Sequence, residues 1–214
     1  MSAVEMLERI AREVSVCTKC ALHESRKKAV TGEGPADAEV MFIGEGPGFH
    51  ENEQGRPFVG ASGKFLDQLL EQAGLTRSEV FITNVVKCRP PDNRDPQPEE
   101  LLACNEYLDG QIEAINPSII VTLGRISMGR YVPGAKITSV HGQMQNIGGR
   151  FIIPMYHPAA ALHQPALRPS MLADFARLPD QLNEARAALG RKAVQKKRNA
   201  ASQSPVEPQQ LSLF

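Results

Sequence analysis

The sequence predicts an α/β protein, built as a three-layer α/β/α sandwich around a central, mainly parallel sheet. Short apolar runs alternate with longer amphipathic segments, which is the pattern of strands that are each followed by a helix. The run at residues 118–123 carries no charge, as expected for a parallel strand buried on both faces. Ligands of such sheets bind beyond the carboxyl ends of the strands, so we expect function to lie in the loops there.

The individual elements follow from periodicity and from the glycines and prolines between them. Helices are predicted, in chain order, at residues 4–14, 62–73, 98–115 and 169–188. Strands are predicted at residues 40–43, 80–86, 118–123 and 151–156, and a less regular, hairpin-like stretch at 137–153 leads into the last strand. Gly74 ends the second helix, and the proline-rich residues 90–96 form a rigid loop before the third.

Composition limits the size, location and partners of the protein. The chain has 214 residues with 42% hydrophobic content, which suffices for one packed domain, taken as residues 1–189. Residues 190–214 are polar and basic and are predicted to be a disordered tail. No membrane span or signal peptide is visible, so we expect a cytoplasmic protein. We also expect it to be a monomer. The 24 basic and 24 acidic residues balance, so bulk charge gives no argument for nucleic acid.

Four cysteines form a candidate metal-binding set. Cys17 and Cys20 are a Cys-x-x-Cys pair, and Cys88 and Cys104 complete the four that the chain contains. In a reducing compartment such a set indicates metal ligation rather than disulfides, the alternative being four unrelated buried thiols. Four thiolates hold either zinc or an iron–sulfur cluster, and the spacing does not distinguish the two.

Two loops that follow predicted strands are expected to build one pocket. Residues 44–48 (Gly-Glu-Gly-Pro-Gly) follow the strand at 40–43, and His157 ends the strand at 151–156. The glycine-rich loop matches neither G-x-G-x-x-G nor a P-loop, so the ordinary nucleotide sites are excluded. Its glycines let backbone N–H groups approach a ligand closely, and Glu45 adds a carboxylate.

Two further side chains suit the recognition of a planar base. Phe58 lies between glycines and a proline in residues 55–60, a setting for a stacking platform or a core anchor. Asn84 falls inside an apolar strand, where its amide either reads a ligand or closes a local backbone turn. A fixed amide can accept from N3–H of uracil and donate to O4, and cytosine presents the opposite pattern.

The segment around the second loop offers two more candidates. His157 could donate to O2 of a pyrimidine as negative charge develops on the leaving base, although a lone histidine is also commonly structural. Leu162 follows on a predicted exposed turn. Such an apolar side chain can fill the gap that an extruded nucleotide leaves in a base stack.

Together and in this order, these motifs resemble the family 4 uracil-DNA glycosylases, the iron–sulfur branch of that superfamily. The resemblance covers residues 17–162: residues 44–48 are similar to motif A, residues 157–162 to motif B, and residues 55–60 and 83–91 to the intervening signatures. It implies the fold of that superfamily and a monofunctional enzyme of base excision repair. Such an enzyme flips deoxyuridine out of DNA and hydrolyses the N-glycosidic bond, leaving an abasic site.

The resemblance also implies roles for residues. A 4Fe-4S cluster would be held by the four cysteines, namely Cys17, Cys20, Cys88 and Cys104. Gly44, Glu45 and Gly46 would contact the base, Phe58 would stack on it, Asn84 would read it, and His157 would stabilise the departing uracil. We take His157 and Glu45 as catalytic, and leave open which group activates the water. The fifteen residues between Cys88 and Cys104 contain no histidine, unlike the branch that attaches covalently to DNA, so turnover is expected.

The last five residues form a distinct motif on the polar tail: Gln210, Leu211, Ser212, Leu213 and Phe214. They resemble the Gln-Leu-Ser/Asp-Leu-Phe peptide by which bacterial repair and replication proteins bind the sliding clamp, so the expected partners are this clamp and uracil-containing DNA. Two alternatives remain at this point. One is a non-catalytic iron–sulfur DNA-binding module tethered to the clamp, and the other is a zinc-stapled nucleotide hydrolase.

Overall fold

One five-stranded sheet forms the centre of the computed structural model, which describes residues 1–191. Its strands are β1 (Val40–Gly44), β2 (Phe81–Asn84), β3 (Ile119–Leu123), β4 (Gln145–Ile147) and β5 (Arg150–Met155). Their order across the sheet is β2-β1-β3-β5-β4, and all neighbours are parallel except the β4–β5 hairpin at the edge. The predicted α/β class with a mainly parallel sheet is confirmed.

The longer helices are α1 (Ala3–Val16), α3 (Ala61–Gln72), α4 (Pro98–Ile115), α8 (Arg168–Ala176) and α9 (Leu178–Ala188). The shorter ones are α2 (Phe49–Gln54), α5 (Arg125–Gly129), α6 (Ile137–Val140) and α7 (Ala160–His163). No helix within residues 1–191 combines the length and apolarity needed to cross a membrane.

Alternating side chains of β1 show how the three layers assemble. Phe42 faces α3, α8 and α9, and its ring stacks on Phe175 of α8 with centroids 5.9 Å apart. Met41 and Ile43 point to the opposite face and share a buried cluster with Leu108 of α4. Because both faces of β1 are covered, its side chains are apolar without alternation, as in other parallel sheets. The α/β/α sandwich is thereby confirmed.

Helix α1 lies outside the three layers and packs on α4. Ile10 fits against Gly110, where an added Cβ would lie 2.9 Å from the end of the Ile10 side chain. Close approach at this glycine brings the end of α1, and Cys17 directly after it, to the face of α4 that carries Cys104. The position of α1 therefore decides where the first cysteine pair lies.

Two predicted segments differ from the structure. The single helix predicted at residues 169–188 is wrong: α8 ends at Ala176 and α9 begins at Leu178, because Pro179 suits a helix start and lacks the N–H that a helix interior requires. The irregular stretch at 137–153 contains the short helix α6 before the β4–β5 hairpin. The helices α2 and α5 were not predicted, because segments of five or six residues are too short for an apolar period to appear.

Candidate active site and cysteine cluster

A cavity of about 480 Å³ opens beyond the carboxyl ends of β1 and β2. Its walls include Glu45 and Gly46 after β1, Asn84 at the end of β2, Phe58 before α3, and His157 after β5. The size falls within the usual range for small-molecule sites. The structure thus brings to one cavity residues that lie more than a hundred positions apart in sequence.

Asn84 lines this cavity and carries a buried acceptor. Only 1% of the residue is exposed, and its Oδ1 has no hydrogen-bond partner within the described part of the chain. Gly44 pairs with Asn84 in register, and a Cβ at Gly44 would lie 2.4 Å from that oxygen and 2.7 Å from the ring of Phe58. Leaving a buried polar atom unpaired costs about 1–3 kcal/mol, so the amide is matched to a ligand that supplies a donor.

Phe58 is fixed by the loop that carries it. Its φ of 53° lies in the left-handed region, which is strained for a residue with a side chain. Oε1 of the buried Glu51 accepts hydrogen bonds from the backbone N–H groups of Val59 at 2.8 Å and Gly60 at 2.9 Å. Arg77 donates to the carbonyl oxygen of Phe58 at 3.1 Å. These three bonds hold the ring against the cavity in its strained conformation.

His157 lies beside Phe58, with ring centroids 5.6 Å apart and planes 31° from parallel. Its Nδ1 accepts the N–H of Ala159 at 3.1 Å, so the proton of a neutral ring resides on Nε2. Burial lowers the pKa of His157 to about 4, although the negative charge of Glu51 opposes this effect. His157 is therefore a neutral N–H donor near pH 7.

A buried lysine supports Asn84 from behind. Lys87 is 1% exposed, and its Nζ donates to the backbone carbonyl of Asn84 at 2.8 Å, to Oγ1 of Thr83 at 2.6 Å and to Oε1 of Gln111 at 2.7 Å. Burial lowers the pKa of Lys87 to about 8. Three hydrogen bonds to one ammonium group hold the end of β2 in a single arrangement.

The four cysteines lie around one small gap between α1, α4 and the segment after β2. Cys88 and Cys104 are buried, and Cys17 and Cys20 are half-buried against the same apolar cluster. All four are free thiols. The sequence-predicted metal ligands therefore meet in one place.

Two N–H groups point at the sulfur atoms. Arg26 donates to Sγ of Cys88 at 3.4 Å, and the backbone N–H of Lys87 donates to Sγ of Cys104 at 3.3 Å. Burial raises the pKa of Cys104 to about 11, and metal binding would displace the proton that this thiol otherwise keeps. Such N–H···S bonds suit thiolates that ligate a cluster.

Within residues 1–191, no group of three or more His, Cys, Asp or Glu side chains is placed to hold a metal ion. Four thiolates can ligate either a four-iron cluster or a zinc ion. The donor set fits a cluster in its chemistry, with four sulfurs and two supporting N–H groups.

Comparisons with known proteins identify the family. Residues 31–183 match the family described as the uracil DNA glycosylase superfamily. The chain is 48% identical to a type-4 uracil-DNA glycosylase of Sulfurisphaera tokodaii, over 82% of this chain and 84% of the relative. This chain belongs to the type-4 uracil-DNA glycosylases. A relative of the same name from Thermotoga maritima is 47% identical over 74% of this chain and 84% of its own length, and the resemblance found in the sequence is confirmed.

Two predicted site residues of this type-4 glycosylase, Glu45 and Leu162, lie in different surroundings. Glu45 lines the cavity, and burial, with a smaller effect from the charge of Asp95, raises the pKa of its carboxyl group. Leu162 does not line the cavity; it is 44% exposed on the short helix α7, which follows the His157 loop. Its exposed position leaves the proposed insertion into DNA as a prediction.

Sequence reasoning missed three residues of this glycosylase that the structure places at the site. Glu51 fixes the Phe58 loop, Lys87 supports Asn84, and Asn93 lines the cavity with a φ of 54°. Charged residues are normally solvated, so Glu51 and Lys87 gave no signal of burial. A signal existed only for Asn93, since asparagine tolerates the left-handed region and follows two prolines in a loop.

We predict that His157 makes this glycosylase lose stability as the pH falls from 6.5 to about 4. In this window the unfolded ring takes up a proton near its ordinary pKa of 6.5, whereas the folded ring stays neutral down to about 4. The contribution amounts to at most about 3 kcal/mol. Urea unfolding at several pH values should therefore show a smaller acid-induced loss for His157→Gln than for the wild type. Equal losses in both proteins would contradict a ring that stays neutral in the folded state.

Proposed function

We propose that the protein is a DNA repair glycosylase that flips deoxyuridine out of DNA and hydrolyses its N-glycosidic bond. The products are free uracil and an abasic site. One observation carries the proposal: Asn84, whose Oδ1 is unpaired within the described residues, lines the same cavity as Phe58 and His157, whose neutral ring carries its proton on Nε2. The names of the type-4 relatives support it.

The cavity supports selection of uracil by shape and hydrogen bonding. Oδ1 of Asn84 would accept N3–H of uracil, while Phe58 stacks on the face of the ring. Cytosine has no proton on N3. Its N3 and Oδ1 of Asn84 would therefore face each other as two acceptors, and the buried oxygen would stay unpaired. A non-catalytic DNA-binding module would have no use for this buried acceptor, so that alternative is not favoured.

Bond cleavage sends the electron pair of the C1′–N1 bond to the base. The sugar becomes an oxocarbenium-like cation and the base a uracil anion, whose O2 would receive the Nε2–H of His157. One preorganised donor of this kind is worth about 3 kcal/mol in other enzymes. Water then adds to C1′ and loses a proton, and the Glu45 carboxylate lines the cavity as a candidate acceptor because burial raises its pKa.

We predict that His157→Ala and Asn84→Ala each slow uracil release by about 10²- to 10³-fold, since each removes one preorganised polar group. The measurement is single-turnover release from oligonucleotides that contain one U·G pair, one U·A pair or one unpaired uracil. Leu172→Ala, a change of an exposed side chain on α8, serves as the control and should retain the wild-type rate. Wild-type rates in both site variants, with intact folding by circular dichroism, would refute the assignment of the pocket.

We further propose that Cys17, Cys20, Cys88 and Cys104 hold a 4Fe-4S cluster. When bound, the cluster would act as a structural cross-link between the start of the domain and the segment after β2. Support comes from the shared gap and from the N–H groups aimed at two of the sulfurs. With all four ligands supplied by cysteine, no open coordination position is implied.

The cluster predicts a brown protein with about four iron atoms and four sulfides per chain. Cys104→Ser should lower both contents and reduce the free energy of unfolding, because it removes a ligand inside the core. Elemental analysis and visible absorption of the wild-type protein check the proposal, whether or not the variant folds. About one zinc per chain without iron would contradict it.

The remaining proposals concern partners and organisation. We propose a glycosylase domain at residues 1–189 that acts as a monomer, since residues of one chain line the cavity, and a cytoplasmic location, which suits cysteines that form no disulfide. We also propose that residues 210–214 bind the bacterial sliding clamp. These tail residues lie outside the described residues, so the support is their sequence alone.

Deleting residues 210–214 should abolish binding to the clamp and leave uracil release from a short oligonucleotide unchanged. The reason is that a linear motif makes its contacts independently of the folded domain. Surface plasmon resonance on immobilised clamp measures the binding, and a gel assay measures uracil release. Unchanged clamp binding by the truncated protein would rule the motif out.

A further inference from the structure

Phe49 is an exposed aromatic side chain next to Gly48, a residue that lines the cavity. It is 55% exposed, whereas every other Phe or Tyr within residues 1–191 is buried or half-buried. It directly follows Gly48, which lines the cavity, and it begins α2. An exposed ring next to a ligand site is placed where it can stack on a base.

Arg89 lies against this ring. Its guanidinium carbon lies 5.5 Å from the centroid of Phe49. Nε of Arg89 donates to Oδ1 of Asn93 at 2.9 Å, which fixes the guanidinium group beside the cavity wall. Its remaining N–H groups are suited to a phosphate oxygen. We call Phe49 and Arg89 the rim pair.

We propose that the rim pair binds the nucleotide next to the extruded deoxyuridine. Phe49 stacks on the neighbouring base and Arg89 contacts the phosphate between the two nucleotides. This inference rests on the proposed function, and it adds a second stacking site to the one that Phe58 supplies. Aromatic rings stack on any base, so the rim pair increases affinity without reading sequence.

The geometry explains why a second ring is useful. Flipping a nucleotide removes one stacking partner from each of its neighbours. A ring at the entrance replaces that partner for one neighbour, and a guanidinium group at 5.5 Å adds positive charge where the backbone bends into the cavity. In single-stranded DNA the neighbouring base is free to turn onto the ring, whereas in a duplex its partner strand holds it. The rim pair therefore favours single-stranded substrates.

The test combines protein and DNA changes. The substrates are single-stranded oligonucleotides with one uracil, and either the 5′ or the 3′ neighbouring nucleotide is intact or abasic. The half-saturation concentration of single-turnover release and the equilibrium dissociation constant are measured on each. Phe49→Ala should raise the half-saturation concentration about tenfold, the size of one stacked base. Phe49→Tyr should retain wild-type affinity. Leu102→Ala, an exposed apolar residue on α4 that does not line the cavity, is the matched control and should change nothing.

The decisive measurement is whether the substitution of Phe49 and the removal of a neighbouring base affect binding independently of each other. Removing the base of one neighbour should weaken binding by the wild type about tenfold and binding by Phe49→Ala not at all. On the corresponding duplex, the wild type should lose less affinity when the neighbouring base is removed. If the effects of Phe49→Ala and of removing the neighbouring base on affinity were fully additive at both the 5′ and the 3′ neighbour, the proposal for the rim pair would be wrong. If the wild type released no uracil, the proposed function would fail, and the same coupling, measured by binding alone, would still decide the rim pair.

Discussion

The site depends on one steric constraint, the pairing of Gly44 with Asn84 in adjacent parallel strands. The absent side chain at Gly44 leaves room for the buried amide and for the ring of Phe58, both of which a Cβ would displace. Because the two strands end together, the amide is held by the sheet itself rather than by a loop. A recognition group on a rigid element keeps its geometry more accurately than one on a flexible segment.

Around this fixed amide the other groups are set by burial and by hydrogen bonds from the backbone. His157 is neutral because little water reaches it, and its tautomer is set by the N–H of Ala159. Phe58 keeps a strained φ because Glu51 accepts two N–H groups from the same loop. The desolvated His157 and the strained Phe58 both cost stability at the site. The packed layers beneath the site supply the stability that offsets this cost.

Much of the fold followed from sequence because it depends on periodicity. The helix predicted at 98–115 has the observed bounds, and each of the four predicted strands lies within two residues of its observed bounds at either end. The break near Pro179 was missed because the apolar spacing continues across it. For the site, loops and motif residues were visible, whereas Glu51 and Lys87 were not, since a buried charge is recognised only by the partners that tertiary structure brings to it.

Lys87 joins two parts of the molecule that have separate chemistry. Its ammonium group holds the carbonyl of Asn84, its backbone N–H points at Cys104, and Cys88 is the next residue. The proposed base reading and the proposed cluster ligation thus share one stretch of five residues, 84–88. Substituting Lys87 is therefore expected to disturb both proposed properties together, which would tie the evolution of base selectivity to that of iron retention.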